Sequence, residues 1–139
     1  MIFYQEKDVA LILQTSNSDA YKIIRTLKTE LEAKGYLTNV KSGIQANYFQ
    51  ERFELSEKDC VSALQGHYLA FYGVDEVSAI LRTGKAASYQ AIRTLREDFE
   101  KEGFMLPKRG YIQSHYFRKR FKLSQKECQS ALLQEKEAS

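Results

Sequence analysis

Residues 6–27, EKDVALILQTSNSDAYKIIRTL, decide how this chain is expected to fold. Apolar residues recur at the spacing of a short helix over residues 6–13, and they return at helical spacing from Ala20 onward. Between these segments, Ser16 with Asp19 three positions later forms an S-x-x-D capping arrangement, which is typical of a helix start. The stretch therefore predicts a short helix, a tight turn and a longer second helix.

The same pattern occurs a second time in the chain. When the sequence is shifted by 68 positions, residues 3–64 align with residues 71–132 without a gap, and about 26 of the 62 aligned positions are identical. The second version of the opening stretch is DEVSAILRTGKAASYQAIRTL, residues 75–95. The chain is interpreted as two copies of one module, residues 1–66 and 67–139. Because the junction lacks the Pro or Ser run of a linker, the modules are expected to abut as an internal pseudo-dimer.

The second helix of each copy has one apolar face and a marked end. Its predicted buried stripe is Ala20, Ile23, Ile24, Leu27 and Leu31 in copy one and Ser88, Ala91, Ile92, Leu95 and Phe99 in copy two. Gly35 and Gly103 are expected to end the helix in the left-handed conformation. The aromatic residue that follows each glycine is expected to pack back on the last turn.

The remainder of each copy predicts short strands and two more helices. Apolar residues flank a basic tip in residues 36–44 and 104–112, which favours a small hairpin. A third helix follows, and a fourth begins at Ser56 or Ser124, each with an acidic residue three positions later. With a short apolar strand at the start of each copy, the expected fold class is α+β, mainly helical.

Composition and cysteine usage exclude several classes of protein. The chain has 139 residues, 43% of them hydrophobic and 28% charged, which is typical of a folded domain and too small for a large cofactor-binding enzyme. No apolar run reaches the roughly 18 residues of a membrane span and no secretory signal is present, so a cytoplasmic location without a membrane partner is expected. Cys60 and Cys128 coincide between the copies and are interpreted as buried thiols. No metal site, cofactor or catalytic group is indicated.

Short helix, tight turn, longer helix and hairpin is the order of a winged helix-turn-helix. The two quoted stretches resemble the helix-turn-helix of MerR-like and excisionase-like DNA-binding proteins, and the likeness extends over nearly the whole chain, twice. Gln14 and Arg82 stand where that family commonly has Gly, and neither an effector domain nor a long dimerisation helix is present. The doubled, effector-free design looks most like TraN-type accessory proteins of Gram-positive conjugative plasmids. This resemblance implies binding to double-stranded DNA near a transfer origin, possible further partners being other DNA-processing or transfer proteins.

The outer face of the second helix is the candidate binding surface. It presents Asn17, Ser18, Tyr21, Lys22 and Arg25 in copy one and Lys85, Ala86, Tyr89, Gln90 and Arg93 in copy two. The predicted hairpin tips add Lys41 in copy one and Lys108 and Arg109 in copy two. Asn, Gln, Lys and Arg pair with base edges in the major groove, whereas Ser and Tyr hold phosphates. The tyrosine and arginine shared by both copies suit a phosphate clamp, and the positions that differ suit the reading of different bases.

The net charge of +3 is unevenly divided between the copies. Residues 1–68 contain eight Lys and Arg against nine Asp and Glu, a charge of −1, whereas residues 69–139 contain thirteen against nine, a charge of +4. Copy two is therefore expected to bind DNA more tightly. Three functions remain open: an accessory factor of conjugative transfer, a small transcriptional regulator or excisionase-like architectural protein, and a protein-interaction scaffold that does not bind DNA.

Overall fold

The computed structural model describes residues 1–38, 43–66 and 69–138, with side chains up to residue 135. The chain divides into two compact units, Met1–His67 and Tyr68–Ser139. The described part of unit 1 contains, in chain order, β1 (Phe3–Gln5), α1 (Glu6–Leu13), α2 (Asn17–Ala33), β2 (Gly43–Gln45), α3 (Ala46–Phe53) and α4 (Glu57–Gln65). That of unit 2 contains β3 (Phe71–Tyr72), α5 (Val74–Leu81), α6 (Lys85–Lys101), β4 (Ile112–Gln113), α7 (Ser114–Phe121) and α8 (Gln125–Ala138).

Both units therefore have the same order of elements. Each contains four helices and one two-stranded antiparallel sheet within the described residues, so the predicted class, α+β and mainly helical, is confirmed. The helix caps follow the sequence signals: the Ser16 Oγ accepts a hydrogen bond from the backbone N–H of Asp19 at 3.1 Å. Gly84 occupies the same cap position in front of α6, without a side chain to accept such a bond.

The helix-to-helix turns share one backbone geometry. The first residue after α1, α3, α5 and α7 is left-handed, although none of these residues is glycine: Gln14 (φ 55°), Glu54 (φ 49°), Arg82 (φ 53°) and Lys122 (φ 55°). In each turn the next residue donates its N–H to a carbonyl five positions earlier, as Thr15 does to Ala10 at 3.0 Å and Thr83 to Ser78 at 3.2 Å. Gln14 and Arg82 thus adopt the left-handed turn conformation, although MerR-like and excisionase-like proteins commonly have glycine at this position.

The predicted helix stops are present in both units. Gly35 and Gly103 have φ values of 90° and 92°, which glycine adopts at little cost. The ring of Phe104 packs on Phe99 with centroids 5.1 Å apart, which confirms the expected back-packing in unit 2. In unit 1, Tyr36 leaves 63% of its surface exposed, so its ring is not packed in the same way.

The predicted hairpin is wrong for unit 2. Residues 104–111 contain no strand, and β4 pairs instead with β3, which precedes the first helix of the unit. In unit 1, β2 likewise pairs with β1, placing Tyr4 opposite Ile44 and Gln5 opposite Gly43. Residues 39–42, including the expected basic tip at Lys41, lie outside the described residues. β2 and β4, which lie in the segments expected to form hairpins, therefore pair with the first strand of their unit. This pairing joins the start of each unit to its third helix.

The hydrophobic core of each unit forms where the long helix meets its strand pair and third helix. In α2 and α6, Ala20, Ile24, Leu27, Leu31, Ser88, Ile92, Leu95 and Phe99 are buried as predicted, whereas Ile23 and Ala91 are only half-buried. Cys60 and Cys128 are buried free thiols, as expected. Ser78 and Ser88 share a hydrogen bond of 2.8 Å that joins α5 to α6. The long helix is thus fixed on one face, and its other face is left to solvent.

Candidate nucleic-acid interface

The solvent face of the long helix carries the predicted contact residues in both units. Their side chains are all exposed, in unit 1 Asn17, Ser18, Tyr21, Lys22 and Arg25, and in unit 2 Lys85, Ala86, Tyr89, Gln90 and Arg93. The two equivalent tyrosines, Tyr21 and Tyr89, leave 52% and 56% of their surface exposed. The amphipathic pattern of the sequence was therefore sufficient to identify which face is accessible to a ligand.

The first turn of the long helix differs in charge between the units. In α2, Asp19 adds a carboxylate to the first turn, and its Oδ2 accepts a hydrogen bond from the Thr15 hydroxyl at 3.2 Å. The first turn of α6 has no acidic residue, and no side chain caps it. Because the N-terminus of a helix carries a partial positive charge, α6 offers the more favourable environment for a phosphate.

Unit 2 has an open groove along α6, with a volume of about 730 Å³. It brings together five of the predicted contact residues: Ala86, Tyr89, Gln90, Arg93 and Arg109. Its walls also include four acidic residues, Asp75, Glu76, Glu97 and Glu100, two of which lie in the C-terminal half of α6. The basic part of the groove is thus formed by the N-terminal half of α6 and the loop that carries Arg109.

That loop, which we call the basic loop (residues 107–111), is held against α6 by Arg96. One guanidinium nitrogen of Arg96 lies 2.7 Å from the carbonyl oxygen of Tyr111 and 3.1 Å from those of Pro107 and Lys108. Removal from water lowers the pKa of Arg96, and the charge of Glu100 opposes this effect. Arg96 therefore fixes the backbone of the loop to α6. Sequence reasoning missed this role because backbone acceptors leave no trace in the sequence.

Lys108 and Arg109 are both exposed. The ammonium group of Lys108 lies 4.5 Å from the centroid of the Tyr111 ring, within the range of a cation–π contact. Arg109 lines the groove, whereas Lys85 and Lys108 do not. The structure therefore brings one of the two basic loop residues to the same groove as the predicted face of α6.

Unit 1 has a smaller groove at a different place. It has a volume of about 340 Å³ and lies between the C-terminal end of α2 and the start of α3, where Lys34, Tyr48 and Glu51 are among its lining residues. None of the contact residues predicted for copy one lines it. Lys41 lies outside the described residues, so the contact residues of unit 1 are brought together only by their common face on α2.

One ion pair recurs at the same position of both units and ties the long helix to the third helix. In unit 1 the Arg52 Nε donates to a Glu30 oxygen at 2.8 Å, and the Tyr48 hydroxyl donates to the same carboxylate at 2.8 Å. In unit 2 Arg120 lies 2.8 Å from Asp98. Arg52 lowers the pKa of Glu30 by its hydrogen bond, against a smaller opposing effect of burial. Both acidic residues, Glu30 and Asp98, are half-buried and paired.

The basic run in α7, Arg118 to Arg120, is partly committed to such internal contacts. Arg118 donates to the Tyr72 hydroxyl at 3.3 Å, and Arg120 is held by Asp98. Lys119, between them in the run, is exposed. The surplus charge of unit 2 therefore contributes less to a binding surface than the count of basic residues indicates.

The buried thiols offer no reactive group. Burial raises the pKa of Cys60 to about 12 and also raises that of Cys128. Both thiols remain protonated at neutral pH, which is the unreactive form. Within residues 1–38, 43–66 and 69–135, no group of three or more His, Cys, Asp and Glu side chains is placed to hold a metal ion. In the described part of the chain, no helix combines the length and apolar character required to cross a membrane.

No protein-family model, curated protein or solved structure matches this chain. The geometry of the two units is therefore the basis on which a function can be assigned.

Proposed function

We propose that this chain is a sequence-specific, double-stranded DNA-binding protein without enzymatic activity, built from two winged helix-turn-helix modules. The observation that carries the proposal is the groove of unit 2, in which the N-terminal half of the exposed α6 face meets the basic loop. An exposed helix preceded by a tight turn and flanked by a basic loop has the dimensions and chemistry to enter a major groove and contact the adjoining phosphates.

Base reading is assigned to the positions where the units differ. Asn17 in α2 and Gln90 in α6 are amide side chains that pair with adenine, whereas Lys22 and Lys85 pair with guanine. The two units would thus read different half-sites, with the exposed Tyr and Arg common to both holding phosphates. Because both readers belong to one chain, a single molecule would protect a site longer than one helical turn.

The basic loop supplies the test of this proposal. Each phosphate neutralised contributes about −0.9 to the slope of log affinity against log salt. Lys108→Ala with Arg109→Ala is therefore expected to flatten the slope by up to about 1.8, which corresponds to about a twelvefold difference in affinity loss between 50 and 200 mM salt. Lys41→Ala in unit 1 is expected to have a smaller effect.

The matched control removes the same charge elsewhere in unit 2. Lys119 and Lys126 are exposed and line no part of the groove, so Lys119→Ala with Lys126→Ala is expected to leave the slope close to that of the wild type. Binding would be measured by fluorescence anisotropy on duplexes selected from random sequence. Equal slopes for the two double variants would contradict the assignment. An absence of salt-dependent duplex binding would favour the protein-interaction scaffold instead.

For the biological setting, we propose an accessory role in conjugative DNA transfer, with binding near the transfer origin. Its support is the resemblance of the doubled, effector-free sequence to TraN-type proteins. Footprinting on the DNA that surrounds the gene tests the setting and the two-module reading together. Protection at a promoter would indicate the transcriptional regulator, and protection at a recombination site would indicate the excisionase-like role.

A further inference from the structure

One arginine of unit 2, Arg96, secures the basic loop against α6. Arg96 stands about two helical turns after Tyr89 on α6, on the flank that faces the loop. Its guanidinium contacts three carbonyl oxygens of a segment only five residues long, the shortest contact being 2.7 Å to Tyr111. Such charge-assisted hydrogen bonds are roughly twice as strong as neutral ones.

The position equivalent to Arg96 in unit 1 is Lys28. A lysine ammonium is a compact, strongly hydrated charge, whereas a guanidinium is planar, more weakly hydrated and suited to several acceptors at once. The loop that Arg96 contacts also carries the additional charges of unit 2: Lys108 and Arg109 replace Val40 and Lys41. Arg96 and the additional loop charges, Lys108 and Arg109, therefore occur together in unit 2.

We propose that Arg96 is a positioning residue for DNA binding: it holds the basic loop so that Lys108 and Arg109 contact phosphates while α6 enters the major groove. This inference rests on the proposed function. Arg96 is half-buried, lines the same groove and directs its guanidinium at backbone oxygens of the loop, so its contribution to affinity is expected to pass through the loop. Its effect should consequently disappear when the two loop charges are absent.

Arg96→Lys tests the first half of this inference without DNA, because it keeps the charge and shortens the reach. Limited trypsin digestion of the full chain, read by mass spectrometry, reports how often the loop opens for cleavage after Lys108 or Arg109. Loss of the three carbonyl contacts is expected to accelerate cleavage there by about tenfold or more. Arg93→Lys, on the exposed face of the same helix, is the matched control and should leave the cleavage rate unchanged. Equal rates for all three proteins would overturn the inference.

The second half is tested by duplex affinity and its salt dependence. Arg96→Lys should weaken binding and flatten the slope toward that of the Lys108→Ala, Arg109→Ala variant, by up to about 1.8. In that double variant, Arg96→Lys should cause no further loss. A further loss of equal size would show that Arg96 acts independently of the loop and would overturn its positioning role, as would accelerated cleavage with unchanged affinity.

The two readouts separate failure of this inference from failure of the proposed function. A wild-type protein that binds no duplex would overturn both the proposed function and the role of Arg96 in it. The digestion would still establish whether Arg96 holds the basic loop. Urea unfolding of each variant is the control for folding, and a single cooperative transition is expected for Arg96→Lys because the residue lies outside the buried core of unit 2.

Discussion

The end of the strand pair in unit 1 gives a sharp test of both the fold and the duplication. Gly43 lies opposite Gln5, and a Cβ added to Gly43 would lie 2.8 Å from the carbonyl oxygen of Tyr4. That oxygen belongs to the backbone of the paired strand, so it cannot rotate away. Gly43→Tyr should therefore displace the strand end and lower the free energy of unfolding by about 1–3 kcal/mol, as overpacking does elsewhere.

In unit 2 a tyrosine replaces the glycine of this facing pair, and a glycine replaces the residue opposite it. Its equivalent positions are Gly73 and Tyr111, so the glycine has moved to the opposite strand, and β3–β4 pairs two residues where β1–β2 pairs three. A Cβ added to Gly73 would lie 2.9 Å from Cε1 of the Tyr111 ring. In each unit one member of the facing pair is glycine, which indicates that the two positions are coupled.

Gln5→Gly combined with Gly43→Tyr copies the pair of unit 2 into unit 1. The double variant should recover at least half of the stability that Gly43→Tyr loses, because it removes the Gln5 Nε2 atom, 3.3 Å from the added Cβ, and lets the backbone next to Tyr4 shift. Gln5→Gly alone should cost about 0.5–1 kcal/mol. Urea unfolding followed by circular dichroism measures the four proteins of this cycle. At a slope of about 2 kcal/mol per M, the single tyrosine variant should unfold about 0.5–1.5 M earlier. Additive effects would refute the reasoning, since residues that do not face each other have no coupling energy.

Two further predictions concern the supports of the long helix. Arg52→Gln removes the hydrogen-bond partner that lowers the pKa of Glu30. A carboxylate with a lowered pKa stabilises the fold at pH values above its unfolded pKa, and this contribution is lost as pH falls through its folded pKa. The loss in unfolding free energy should thus be about 0.5–1 kcal/mol at pH 7 and shrink toward pH 3, and a pH-independent difference would contradict it. Gly84→Ser supplies α6 with the side-chain cap that Ser16 gives α2, and a Cβ at this position meets no atom within 4 Å. The substitution should raise the free energy of unfolding by a few tenths of a kcal/mol, measured by thermal unfolding, and a lower stability would contradict this.

Helices were predictable from this sequence because their signals are local. The first helix was expected to start at Glu6 in unit 1 and at Asp75 in unit 2, and the structure begins them at Glu6 and Val74. The N-cap residues Ser16 and Gly84 likewise mark the starts of α2 and α6. The core pattern of each helix is present twice at an offset of 68 residues, so every predicted helix has its signal in both copies.

Strand partners were not predictable from the same kind of signal. Strands of two or three residues show no alternation that indicates a face or a register. The local hairpin was favoured because flanking apolar residues surrounded a turn, but Tyr72 pairs with Ile112, forty positions away in the chain. Contacts such as Arg52 with Glu30 span 22 residues between two helices. Their only trace in the sequence is that acid and arginine recur at equivalent positions of both copies.

The duplicated scaffold separates positions required by the fold from those available for function. The buried tyrosine and thiol, the ion pair of the long helix and the left-handed turns occur in both units, and each has a structural reason to persist. On the exposed face of the long helix most positions differ between the units, as expected for solvent-exposed residues. Four pairs on this helix are nevertheless identical and exposed in both units: Tyr21 with Tyr89, Arg25 with Arg93, Thr26 with Thr94 and Glu32 with Glu100. Of these, the tyrosine and the arginine belong to the predicted contact face, and under the proposed function a phosphate backbone, which is the same at every half-site, would account for their identity.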